Sequence, residues 1–169
     1  VGDEEKNAIS YNWNEGCSAD NFTITPDEGT LTVSPVQDEV TVTIKGHKGG
    51  GVYNGSEQTV EGYDFESLND LYKASDFTFS GSAVVKGTDV KDGGYAMGLA
   101  AGQFKNISGN FTNVEFVVND GLLVISKRAV TVKSESHNFT YNGQAQTWSK
   151  ASCDDDVFNA QTNGLTATG

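Results

Sequence analysis

Cysteine, proline, methionine and basic residues are scarce in this sequence, and it has no long apolar run. The two cysteines, Cys17 and Cys153, stand far apart and match no metal-ligand spacing. They read as unpaired small residues, with a disulfide between them as the alternative. Eleven Lys and Arg against 23 Asp and Glu give a net charge of −12. That field repels nucleic acid and anionic membrane surfaces, so neither is expected as a partner. No stretch approaches the roughly 20 apolar residues of a spanning helix, so no membrane insertion is expected. The chain opens at Val1 with neither a start methionine nor a signal-peptide pattern, and it is read as a piece of something longer. It has no phosphate loop, nucleophile elbow, zinc motif or basic stripe. The expectation is therefore not an enzyme, with no catalytic, metal or cofactor-binding residue and no cofactor.

What is present is glycine, 20 residues of it, with abundant Thr, Val, Asn and Ser. This is the composition of short strands joined by polar turns, so the fold class is mainly β. Alternating apolar residues predict strands at Ile9/Tyr11/Trp13, Phe22/Ile24, Leu31/Val33, Val40–Ile44, Phe77/Phe79, Ala83–Val85, Tyr95–Leu99, Val114–Val118, Leu122–Ile125 and Val130/Val132. Gly49-Gly50-Gly51 reads as a loop. Leu68, Leu71 and Tyr72 have helical spacing and predict one or two helical turns, and residues 100–104 predict a single turn.

The stretch Tyr53-Asn54-Gly55, followed by Gln58-Thr59-Val60, returns as Tyr141-Asn142-Gly143, followed by Gln146-Thr147-Trp148. Asn-Gly between β-type residues predicts a tight hairpin turn at each place, with Gly55 and Gly143 at positive φ. More of the chain repeats. Residues 21–35 lie over 113–127 without a gap, matching Gly29 to Gly121, Leu31 to Leu123, Val33 to Ile125 and Ser34 to Ser126. Val40–His47 matches Val130–His137. A period of about ninety residues exceeds that of solenoid repeats, so the units are separate small domains in tandem. Residues 36–127 form one complete module, expected to fold alone. Residues 1–35 are the closing part of a preceding copy, and residues 128–169 are the opening part of a following one. Each flank exposes strand faces, and the two are expected to complete each other between molecules, as head-to-tail chains or a swapped closed dimer.

His47 and His137 fall at the same repeat position and read as strand-end polar residues rather than bases. Asp154-Asp155-Asp156 lacks the alternating spacing of a calcium loop and reads as a solvated acidic loop. Lys45 and Asn119, with Glu115, would suit an isopeptide crosslink only if the lysine were uncharged in an apolar pocket. Asn-x-Ser/Thr triplets, as at Asn106 and Asn110, follow from composition. Tyr63, Phe65, Tyr72 and Trp148 would form a binding face if exposed together, but their alternation favours a core.

The combination VTVTIKGH, VYNGSEQTVEGY, SDFTFSGSAVVKGTD, GGYAMGL and FTNVEFVVNDGLLVISK resembles the MBG-type repeats of large bacterial, mostly Gram-positive, cell-surface adhesin-like proteins. The resemblance covers most of 36–127. It implies a secreted, cell-wall-associated, extracellular location and a structural or adhesive role as stalk or spacer. The alternative is direct binding of a glycan or host surface protein. Two folds remain open. One is an immunoglobulin-like sandwich, for which Gly93-Gly94-Tyr95 resembles a tyrosine corner, with Lys91 where an acid is expected and Asp92 shifted by one. The other is a β-grasp-like sheet wrapped on a helix near Leu68–Tyr72.

Overall fold

The computed structural model describes residues 4–168. Val1, where the chain opens, lies outside the described residues. The described chain is mainly β. In order its strands are β1 (Glu4–Asn7), β2 (Gly29–Thr32), β3 (Val40–Gly46), β4 (Lys48–Val52), β5 (Gln58–Glu61), β6 (Tyr63–Ser67) and β7 (Phe77–Phe79). There follow β8 (Val84–Gly87), β9 (Tyr95–Ala96), β10 (Phe104–Asn106), β11 (Val114–Asn119), β12 (Leu122–Ser126), β13 (Val132–Ser134) and β14 (Ala151–Cys153). One short α-helix, α1 (Asp156–Ala160), comes last. The residues divide into two compact units. One comprises 4–44, Phe65–Ser80 and Ala101–Val117; the other comprises Lys45–Asp64, Gly81–Ala100 and 118–168.

The first unit holds an aromatic core. β3 lies between β11 and β6, and β7 pairs antiparallel with β10. The alternation read in Val40–Ile44 is real: Val40, Val42 and Ile44 are buried, while Thr41 and Thr43 face outward in part. Phe77 sits edge-on to Phe65 (5.3 Å) and Phe116 (5.6 Å), and Phe104 stacks on Phe79 at 4.8 Å. Such ring pairs add to the stabilisation from burial alone. Tyr72 is buried here, its ring 5.1 Å from Phe111 and its hydroxyl 3.1 Å from Asn106 Oδ1.

The second unit has an aliphatic core of Val85, Met97, Leu99, Leu123 and Ile125. β12 is its central strand, antiparallel to β9 and parallel to β4. β5 pairs with β8, and β13 with β14. Asp120 holds the segment after Met97: its carboxylate accepts the Leu99 N–H at 2.8 Å and the Gly98 N–H at 3.0 Å, while the Met97 N–H donates to the Gly121 carbonyl at 2.9 Å.

Several expectations are corrected. Gly49–Gly51 is not a loop but the middle of β4, lying directly against β12. A Cβ on Gly50, whose φ is +144°, would lie 1.8 Å from the Val124 carbonyl oxygen, so only glycine lets the two backbones approach. The Asn-Gly turn forms, but not as a paired hairpin, because β4 and β5 belong to different sheets. Leu68 and Leu71 are 87% and 72% exposed, and no helix forms there. Asn69 instead caps a turn, its side chain accepting the Leu71 N–H at 3.0 Å. The helix on which a β-grasp reading depended is therefore not formed. Ile9, Tyr11, Trp13, Phe22 and Ile24 alternate, yet lie in no strand and are exposed. β2 pairs instead with the polar β1. The turn expected in residues 100–104 is present as a 3-10 turn at Ala101–Gln103.

Candidate functional site

An apolar cleft of about 340 Å³ lies in the second unit. Tyr53, Val90, Val130, Val157 and Phe158 line it, with Arg128. Its geometry starts from local capping. Asp155 precedes the apolar pair Val157-Phe158, and its carboxylate accepts the Phe158 N–H at 2.9 Å, starting α1 as an N-cap. The other carboxylate oxygen accepts from Arg128 Nε at 2.7 Å. The Phe158 amide first, and the guanidinium second, hold the Asp155 carboxyl below the usual carboxylate range. On the opposite wall, Tyr53 donates its backbone N–H to Ser126 at 2.9 Å and enters the Asn54-Gly55 turn. The lining is almost wholly apolar and holds no nucleophile paired with a base. Chemically, the cleft can take up an apolar group.

The residues singled out from sequence fall elsewhere. His47 Nδ1 donates to the Glu61 carbonyl at 2.7 Å, while Nε2 faces the Asp64 carboxylate at 3.3 Å. Both ring nitrogens thus meet protein oxygens, and the ring packs on Gly62, where a Cβ would come within 2.9 Å. His137 is placed differently, stacked on Trp148 at 4.0 Å and edge-on to Phe139 at 4.6 Å. The matching sequence position does not give a matching environment. Lys45, Glu115 and Asn119 are all exposed, so the apolar pocket that an isopeptide bond needs is not built around them. Asp154 faces Lys133 at 3.5 Å, and Asp155 serves the helix cap. Cys17 is exposed, Cys153 is half-buried, and both are free. Tyr63, Phe65 and Trp148 are half-buried and Tyr72 is buried. They do not form one exposed face.

Two features escaped the sequence reading. The Asp155 cap was legible, since an Asp two and three residues ahead of Val157 and Phe158 is a helix-start signal. The exposed rings of Tyr11, Trp13 and Phe22 were misread as strand. Trp13 stacks on Phe22 at 5.4 Å and meets Tyr11 edge-on at 5.8 Å, leaving Tyr11 54% and Phe22 62% exposed. Among the described residues no helix is long and apolar enough to cross a membrane, and no group of His, Cys, Asp or Glu could hold a metal ion. No protein-family profile, curated protein or solved structure matches this chain.

Proposed function

We propose that this chain is a structural, adhesive repeat segment of a secreted, wall-associated bacterial surface protein, acting as a stalk or spacer. The observation that carries the reading is one turn built twice from the same bonds. Gly55 and Gly143 have φ of 76° and 77°. Asn54 Oδ1 accepts the Ser56 N–H at 2.9 Å, and Asn142 Oδ1 accepts the Gln144 N–H at 3.0 Å. Gln58 and Gln146 each donate a side-chain amide to the carbonyl six residues earlier, at 3.1 and 2.9 Å. These bonds support the tandem organisation, with residues 36–127 as the complete repeat and 1–35 and 128–169 as parts of its neighbours. The MBG-like motifs supply the location. An immunoglobulin-type module is supported by Tyr95, whose hydroxyl donates to the Asp89 carbonyl at 2.9 Å in the manner of a tyrosine corner. Mechanically, each small β-rich module resists extension through its strand ladders, and tandem copies hold a distal head away from the cell.

The exposed Tyr11–Trp13–Phe22 cluster favours a second reading, that a module binds a glycan or host surface protein directly. A glycan array and a host-surface-protein screen with this chain separate the two. The stalk reading predicts no saturable binding. Saturable binding that is lost on Trp13→Ala overturns it in favour of the binding module.

A further inference from the structure

We propose that the Tyr-Asn-Gly turn is the surface on which one repeat receives the next: the Tyr53 turn seats α1 of the following copy, and the Arg128–Asp155 pair clasps that seat. The repeat boundaries above underlie this proposal, placing Tyr53 and Gly55 in the central copy and α1 in the one after it. The two copies of the turn give an internal comparison. They share the positive-φ glycine, the Asn bond and the Gln bond. Their surroundings differ. Tyr53 is half-buried, and a Cβ at Gly55 would meet Val157 Cγ1 at 3.6 Å. Tyr141 is 91% exposed, and a Cβ at Gly143 would meet nothing within 4 Å. The turn by itself therefore does not bury its tyrosine. What differs at Tyr53 is the presence of α1, whose Val157 reaches the turn and whose Phe158 lines the same cleft as Tyr53.

The seat is tied down from both copies. The Tyr53 N–H donates to the Ser126 carbonyl at 2.9 Å, which sets the turn beside the end of β12, where the chain passes into the following copy. Arg128, just beyond, donates from Nε to Asp155 Oδ2 at 2.7 Å, and Asp155 Oδ1 accepts the Phe158 N–H at 2.9 Å. One carboxylate thus joins the crossing point to the start of α1, and through it to the ring in the cleft. The Asp155 side chain is only 17% exposed, whereas the Lys86–Glu57 and Lys133–Asp154 pairs leave both partners more than half exposed. A partly enclosed pair is screened less by salt and water than an exposed one. Val157 and Phe158 supply the apolar filling, and the cleft is the part of the seam that stays unfilled. Residues 127–131 alone separate β12 from β13. Modules on so short a link move against each other unless an interface holds them. The Tyr53 seat and the Arg128–Asp155 clasp are that interface, and they make the joint between consecutive repeats a held one rather than a free hinge.

The test uses the full chain with Cys17→Ser and Cys153→Ser, spin-labelled at Asp92→Cys and Glu135→Cys, exposed positions in the two copies. Pulsed electron paramagnetic resonance reads the spread of distances between the labels. The expected result is one narrow distance. Tyr53→Ala disturbs the seat from the central copy and Phe158→Ala from the following one, so the outcome does not hang on a single variant. Either should broaden the spread several-fold, while Tyr141→Ala, at the matched turn, leaves it unchanged. A broad spread in the parent chain, a spread that stays narrow in both seat variants, or equal broadening with Tyr141→Ala overturns the proposal. A narrow, variant-sensitive distance in a chain that binds glycan saturably would overturn the stalk reading and leave the joint standing. A segment 36–127 that does not melt cooperatively would overturn the boundaries, and this proposal with them, whatever the distances show.

Discussion

The Gln58 side-chain amide donates to the Val52 carbonyl oxygen at 3.1 Å, across a turn whose flanking strands belong to different sheets. A backbone ladder between β4 and β5 would ordinarily satisfy that carbonyl. Here a side chain does so, and the chain is free to leave one sheet and enter another. Gln146 repeats the arrangement on Thr140 at 2.9 Å. A glutamine six positions after the carbonyl it bonds is thus common to both Tyr-Asn-Gly turns.

Gly55→Val should destabilise the chain by about 1–2 kcal/mol through the left-handed conformation that β-branched residues avoid. Space is not the cause, since a Cβ there would meet Val157 at an ordinary 3.6 Å. Gly143→Val places the same strain in the second copy of the turn. Chemical denaturation measures the first. Faster amide exchange at Gln144 measures the second.

Leu123→Ala should cost about 2–5 kcal/mol, because the side chain is fully buried. Leu31→Ala, at the matching position, should stay within about 0.5 kcal/mol in dilute solution, because Leu31 is 62% exposed. Equilibrium unfolding of the two variants checks the pair. Equal losses would contradict the burial contrast between the two leucines.

Gly50→Ala should cost about 3 kcal/mol, at the top of the range for overpacking, by forcing β4 off β12. Gly109→Ala, with nothing within 4 Å of the added Cβ, should be near neutral. Thermal melts of both distinguish a glycine needed for close approach from one that is not.

Burial, and Asp76 beside it, push the Tyr72 hydroxyl up from 10.0 to about 12. A phenol raised in the folded state stabilises the fold fully below pH 10. That contribution is lost as pH rises from about 10 to about 12, because the unfolded chain releases its proton first. Ultraviolet titration should show Tyr72 ionising late among the six tyrosines, with Tyr63 also raised by burial. Tyr72→Phe should remove that step and, with it, the hydroxyl bond to Asn106, at about 1 kcal/mol.

Strand identity was legible where side chains settle it. In Val40–Ile44 and Val114–Val118 the period of two is set by burial of one face, and both are strands. It failed where backbone proximity settles it. Gly49–Gly51 has no side chains to show a pattern, and its place beside β12 depends on a partner some seventy residues away, where a Cβ would collide. Ile9, Tyr11 and Trp13 show the opposite failure: the alternation is present, but no neighbouring strand takes up their backbone groups. Leu68, Leu71 and Tyr72 have helical spacing by coincidence, since Asn69 and Ser67 side chains bond to nearby backbone and close a turn first. The apolar cleft was hidden because its walls come from stretches far apart in sequence, Tyr53, Val90, Val130 and Phe158. Only the Asp155 cap gave a local sign of it.

The central claim is that residues 36–127 are one complete repeat, and calorimetry of that segment as a separate protein tests it most directly. A single cooperative transition, with calorimetric and van't Hoff enthalpies equal, is the predicted result. A melt without cooperativity, or two separated transitions within 36–127, would contradict the repeat boundaries and the tandem organisation built on them.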